Sequence, residues 1–111
     1  MAKKFYITTS IPYTNAPPHI GHVFEFIQAD TVARYRRSID EDVYFLTGSD
    51  EHGLKTKRAA EAIGKTAEEF ADEMSQKFKD LKALFNLSND DFIRTTDAKR
   101  HLPAVQKLWK K

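Results

Sequence analysis

Phe5-Tyr6-Ile7-Thr8-Thr9, an uninterrupted run from Gly21 to about Ser38, and Val43-Tyr44-Phe45-Leu46-Thr47 decide the fold. The first segment is rich in β-branched and aromatic residues and reads as a buried strand, and the last is a second strand candidate ending at Gly48. Between them, Ser10 to Pro18 carries Pro12, Pro17, Pro18 and Asn15. Proline fixes φ and removes a donor, so this stretch is a stiff loop. The Gly21–Ser38 run has no interior breaker. Its apolar residues, Val23, Phe24, Phe26, Ile27, Val32, Ala33 and Tyr35, spread around much of the circumference, which predicts a helix buried on more than one face. Strand, long helix, strand is a βαβ unit, and it implies parallel strands with a right-handed crossover.

Downstream the pattern continues. Gly53 to Ile63 reads as a helix stopped by Gly64. Thr66-Ala67-Glu68-Glu69 matches a capping box. The helix behind it sets Phe70, Met74, Phe78, Leu81 and Phe85 on one face, a core stripe. Phe92-Ile93-Arg94-Thr95-Thr96 reads as a short third strand. Asp97 then caps a last helix containing Leu102, Val105, Leu108 and Trp109, with Pro103 in its opening turns. The order β-α-β-α-α-β-α predicts an α/β fold: a Rossmann-like parallel sheet with flanking helices, half of a doubly wound nucleotide-binding domain.

Composition sets the outer bounds. The 111 residues hold 18 basic and 16 acidic side chains, so the net charge of +2 makes no case for nucleic-acid binding. Hydrophobic content of 41% and charged content of 31% suit a globular chain. There is no cysteine, hence no disulfide and no thiolate zinc site in this stretch. No apolar run approaches a membrane span. Met1-Ala2-Lys3-Lys4-Phe5 lacks the apolar region of a secretory signal, which makes a cytoplasmic location the expectation.

In open parallel sheets, ligands bind beyond the carboxyl ends of the strands. Two polar clusters fall there. The first is Pro17-Pro18-His19-Ile20-Gly21-His22. Two histidines nearly one turn apart can point to the same side of the helix start. Amides at a helix start attract anions, Gly21 leaves room for a phosphate or an adenine ring, and imidazole N–H groups could donate to phosphate oxygens. The plainer alternative is a pair of capping or half-buried histidines. Metal binding is a third, disfavoured because no cysteine joins the pair and no zinc spacing is present. The second cluster is Thr47-Gly48-Ser49-Asp50-Glu51-His52-Gly53. A carboxylate leaving a strand there can receive an ammonium group. A solvated polar turn is the plainer alternative.

His19-Ile20-Gly21-His22 resembles the HIGH signature of class I aminoacyl-tRNA synthetases, which related nucleotidyltransferases share. Its setting, Thr8 through Pro18, looks like the methionyl-tRNA synthetase family, as does Thr47 through Gly53. The likeness continues through Lys55, Ala59-Ala60 and Asp90-Asp91-Phe92-Ile93-Arg94-Thr95-Thr96, essentially the whole chain. It implies the first half of a class I catalytic domain, with 1–111 as its amino-terminal part. Implied catalytic residues are His19 and His22. ATP would be held by His19, Gly21 and His22, and methionine by Ser10, Ile11, Tyr13 and Asp50, with Asp50 on the α-ammonium. Pro12, Tyr13, Asn15, Pro18, Ile20 and His52 complete the motifs.

The implied reaction is methionine activation by ATP and transfer to tRNA(Met). Mg2+ is expected with ATP, though no ligand for it can be named, and no zinc site is expected in this segment. No KMSKS string, connective insertion or anticodon-binding helix occurs in these residues. A fragment or split half needing a partner chain, with little activity alone and an uncovered apolar surface, is therefore the expectation. A stand-alone nucleotidyltransferase and a non-catalytic module binding methionine or a nucleotide are the rivals. Arg34, Arg36 and Arg37 read as charge complementing a helix end. Lys99, Arg100, Lys107, Lys110 and Lys111 read as a solvated helix face.

Overall fold

A computed structural model of the protein describes residues 1–111. The elements are β1 (Lys4–Thr8), α1 (Ile20–Ser38), β2 (Asp42–Ser49), α2 (Leu54–Ala62), α3 (Ala67–Leu84), β3 (Asp91–Arg94) and α4 (His101–Trp109). The sheet runs β1-β2-β3 with both pairings parallel. Phe5 sits opposite Val43 and Thr8 opposite Leu46, and Ser49 lies opposite Arg94. The βαβ unit and the parallel sheet are as the pattern of strands and helices predicted.

Side chains alternate across a strand, and here the two faces differ. Val43, Phe45, Thr47 and Ser49 share the face that meets the helices. Ala29, Ala33 and Phe45 form one cluster, with Ile7 and Val43 packed against it. Val23, Phe26, Phe78, Leu81 and Leu87 form a second between α1 and α3. Ala60, Phe70 and Met74 join α2 to α3. On the opposite face Tyr6 and Tyr44 stack at 5.9 Å and remain 61% and 45% exposed. β1 is thus half-buried, not a fully buried strand.

Other expectations need correction. α1 buries one stripe, not several: Val23, Phe26, Ala29, Asp30 and Ala33 are covered, while Phe24, Ile27, Val32 and Tyr35 are exposed. Phe85 follows α3 as its C-cap and stays exposed, so the core stripe ends at Leu81. α4 begins at His101, and Asp97 caps the turn before it by accepting from the Lys99 and Arg100 amides at 2.9 Å. No residue of α4 is buried. No helix is long and apolar enough to cross a membrane.

Helix ends repeat one device. After α2, Gly64 at φ 71° donates to Glu61 O, and Lys65 donates back to Ala60 O. This is the Schellman closure expected of a glycine stop. Asp40 (φ 61°) after α1 makes the same turn with both bonds, and Asn86 (φ 50°) after α3 makes the longer one, Leu87 N–H to Lys82 O, Asn and Asp being the side chains that best tolerate it. At the start of α3, Thr66 and Glu69 form the predicted capping box.

The arginines at the end of α1 bind specific partners instead of merely complementing the dipole. Arg34 pairs with Asp30 at 2.7 Å. Arg37 reaches Ser88 and Asp90, and Arg36 lies 4.5 Å over the Phe5 ring. Buried Asp30 accepts from the Ser88 amide and hydroxyl. Burial pushes its pKa up, but these bonds and Arg34 outweigh that and leave it below the usual carboxylate range.

Candidate active site

The chain leaves β1 and turns into α1 through its proline-rich loop. His19 is the N-cap, with extended backbone at φ −123°. Its Nδ1 accepts from the Gly21 amide at 3.0 Å, and the Nδ1 of His22 accepts from the His19 amide at 3.2 Å. This is a capping box made by two imidazoles in place of the usual hydroxyl and carboxylate. The rings stack 3.8 Å apart, and His22 and Phe78 lie nearly perpendicular with ring centroids 5.1 Å apart. An Nδ1 that accepts cannot carry the proton of a neutral ring. The bonding pattern therefore assigns both protons to Nε2, where each ring keeps one outward donor. Burial, and next the neighbouring His19, lower the pKa of His22, which favours its neutral form.

Capping and donation to a ligand are thus compatible uses of the same rings, through different nitrogens. Two sequence expectations change. The Gly21 amide donates to His19 Nδ1 and the His22 amide to His19 O, so both are already engaged and the open anion cradle is reduced. The space beside Gly21 is taken by His19: a Cβ there would lie 2.9 Å from His19 Cε1. Glycine is needed for the ring to fold over the helix start.

The loop ahead of α1 is held from both sides. The amide and hydroxyl of Ser10 donate to the two Glu25 carboxylate oxygens at 2.6 and 2.8 Å. Farther on, Tyr13 and Asp50 form a parallel bridge, with the Asp50 amide donating to Pro12 O at 2.9 Å and the Thr14 amide to Asp50 O at 3.2 Å. Thr14 is fully buried behind them. The loop thereby extends β1 alongside the end of β2. Between loop and helix lies a cavity of about 410 Å3, lined by Ser10, Ile11, Pro12, Tyr13, Asn15, Ala16, His19 and His22.

The cavity wall gathers Ser10, Ile11, Pro12, Tyr13, Asn15 and both histidines from the sequence-derived set, and the Asp50 backbone is bonded to that wall through Pro12. Asp50 itself, Pro18, Ile20, Gly21 and His52 do not line it. Ile20 is 81% exposed. His52 borders a second cavity of about 580 Å3, with Glu51, Glu68, Asp72, Arg94, Thr96 and Asp97 among its walls. Several of those polar groups are already bonded to one another. Arg94 grips Glu51 in bidentate fashion at 2.5–3.0 Å and also pairs with Asp72, while Thr96 donates to Glu51 at 2.9 Å. The Glu51 side chain is fully buried, and its hydrogen bonds hold the Arg94 guanidinium above its ordinary pKa. In the smaller cavity, His19 and His22 make their protein hydrogen bonds through Nδ1, and no protein partner bonds to either Nε2.

Sequence reasoning assigned no role to Glu25, Glu51, Arg94 or Thr95. A glutamate three residues past His22, on the same helix face, was a readable signal for the Ser10 clamp. The partners of Glu51 lie some forty residues away, and no local pattern announces them.

Comparison with known proteins extends the geometry to ancestry. A family model described as tRNA synthetases class I (M) matches residues 5–111. The methionine–tRNA ligase of Thermotoga maritima is 51% identical over 105 residues, covering 95% of this chain and 16% of that protein. The Brucella suis methionine–tRNA ligase is 48% identical, covering 96% and 21%. The crystal structure of Mycobacterium tuberculosis methionyl-tRNA synthetase bound by methionyl-adenylate superposes with a TM-score of 0.92 at 47% identity, over 97% of this chain and 21% of that one. The chain thus spans about a fifth of the length of such relatives. With the family model matched from the first strand to the last residue, over a fold that superposes throughout, the chain belongs to the class I (M) tRNA synthetases.

Proposed function

We propose that this chain is the amino-terminal half of the nucleotide-binding catalytic domain of a methionine–tRNA ligase. The observation that carries the reading is the 410 Å3 cavity, which brings His19 and His22 together with Ser10, Ile11 and Tyr13, while Asp50 is hydrogen-bonded to its wall. A carboxylate oxygen of methionine attacks the α-phosphorus of ATP. The bond from that phosphorus to the bridging oxygen breaks, and pyrophosphate leaves. A terminal ribose hydroxyl of tRNA(Met) then attacks the carbonyl of methionyl-adenylate and expels AMP. No enzyme nucleophile takes part, so catalysis is positioning plus stabilisation of charge on phosphate oxygens.

In this reading the two Nε2–H groups donate to those oxygens. Their orientation is preset, because each ring is fixed by its Nδ1 bond to the helix start. Asp50 receives the α-ammonium. Ile11 and Tyr13 flank the methionine side chain, where a sulfur–aromatic contact contributes about 0.3–1.5 kcal/mol. Mg2+ would accompany the ATP phosphates. No group of three or more His, Cys, Asp or Glu side chains is arranged to hold a metal ion, so no step is assigned to one. The remaining phosphate contacts and the tRNA(Met) surface belong to the rest of the ligase or to a partner chain, acting in the cytoplasm.

The test uses the complete ligase. His22→Ala should lower the maximal rate of ATP–pyrophosphate exchange by about 10²–10³, as loss of one such donor does, with methionine affinity little changed. Asp50→Ala should instead weaken methionine binding. An unchanged exchange rate in the first variant would remove His22 from the chemistry.

A further inference from the structure

One residue just past β3, Thr95, holds the last residue of β2 and the three that follow it. The Thr95 amide donates to Ser49 O at 3.1 Å. Its hydroxyl accepts from the Glu51 amide at 2.8 Å and donates to Asp50 Oδ1 at 3.4 Å. Its carbonyl faces His52 Nε2 at 3.3 Å. Only the hydroxyl contact touches a group placed in the proposed site. A hydroxyl that accepts from one side has its own hydrogen turned elsewhere, and here it turns toward the Asp50 carboxylate. That is the one side chain hydrogen-bonded to the Asp50 carboxylate. The backbone of Asp50 is fixed independently by Pro12 and Thr14.

We propose that Thr95 is a positioning residue for methionine recognition: its hydroxyl, anchored by the Glu51 amide, sets the rotamer of Asp50 so that the carboxylate faces the incoming ammonium. The proposal rests on the reading of Asp50 above. Arg94, the residue before it, pairs with Ser49 in the β2–β3 register and is clamped to Glu51, which fixes this end of β3 against β2. Placement to within a fraction of an ångström is what distinguishes a good ionic acceptor from a carboxylate that must be reoriented on binding.

Thr95→Val keeps the shape and removes the hydroxyl, and Thr95→Ser keeps the hydroxyl. In the complete ligase, Thr95→Val should raise the KM for methionine about tenfold, the scale of one hydrogen bond to a charged group, and leave the KM for ATP unchanged. Thr95→Ser should restore it. Inhibition by a methionine analogue lacking the α-amino group should be equal in wild type and Thr95→Val, since that analogue offers Asp50 nothing. In an Asp50→Ala background, Thr95→Val should add no further loss. Parallel rises in both KM values, additive losses, failure of the serine variant, or weaker binding of the desamino analogue would each overturn the proposal. Unchanged methionine affinity in Asp50→Ala alone would instead remove Asp50, and the function proposed for this cavity with it.

Discussion

The mouth of α1 and the end of β2 border the same region, yet they are built in opposite ways. At the mouth, the side-chain bonds of His19 and His22 span two and three residues, and the Ser10–Glu25 clamp spans fifteen. At the end of β2, Arg94, Thr95 and Thr96 reach back 43 to 45 residues to Asp50 and Glu51. The first arrangement can form and fray as a local turn. The second exists only once β3 has docked, and its buried carboxylate makes partial assembly costly. The site proposed above, with one part built locally and a neighbouring part held from β3, should therefore fail in two distinguishable ways.

The largest effect should come from Arg94→Ala. It leaves the fully buried Glu51 without its cation, and should cost about 3 kcal/mol, the lower end for breaking such a pair because Thr96 still donates and Arg94 is itself partly exposed. Denaturant unfolding would read it, and a midpoint equal to wild type would make the β2–β3 bonds ornamental. Gly48→Ala attacks the same part by crowding. Its Cβ would stand 2.0 Å from Ile93 O, a backbone atom that can yield only by parting β2 from β3. About 2 kcal/mol is expected, with faster hydrogen exchange in β3 but not at the α1 start.

In the locally built part, His19→Ala removes a cap and should cost about 1 kcal/mol. Exchange should quicken at the Gly21 amide while β3 is unaffected. Faster exchange in both regions would mean that the two parts are coupled. The smallest expected effect is one of pH. Burial, then the neighbouring imidazole, lower the His22 pKa below its ordinary 6.5, with Glu25 opposing incompletely. The folded state therefore binds this proton less readily than the unfolded state. The contribution is complete above about 6.5 and is lost as pH falls through the lower folded value. His22→Gln keeps an N3 side chain able to complete a capping box and removes the titration. Its stability should be flatter than wild type across that window, and an identical slope would assign the pH dependence elsewhere.

Much of this was legible in advance, and for a common reason. Strand and helix order came from apolar periodicity, and the stop at Gly64 and the Thr66–Glu69 box came from short-range chemistry. The two polar loops were placed by the rule that parallel strands present their carboxyl ends together. The reach of that reasoning ended where partners are distant. The apolar residues of α1 spread around much of its circumference, but periodicity cannot say which apolar stripe meets a neighbour, and Phe24, Ile27 and Tyr35 remain exposed here. The arginines of α1 read as generic charge, whereas Arg37 has its partners in Ser88 and Asp90. The histidine capping box, by contrast, was within reach: the spacing of three is that of Thr66 and Glu69, with imidazole in both roles.

The amino-acid sequence by itself determined the parallel α/β order, the helix boundaries to within a few residues and the two chemistry-bearing segments, because each depends on atoms only a few residues apart. Only the tertiary structure decided that Asp50 adjoins the wall carrying both histidines, that Glu51 is sealed against Arg94, and that Thr95 reaches the Asp50 carboxylate. Those facts depend on the register of β3 against β2 and of the loop against both. Register is selected by packing and backbone pairing across the whole sheet.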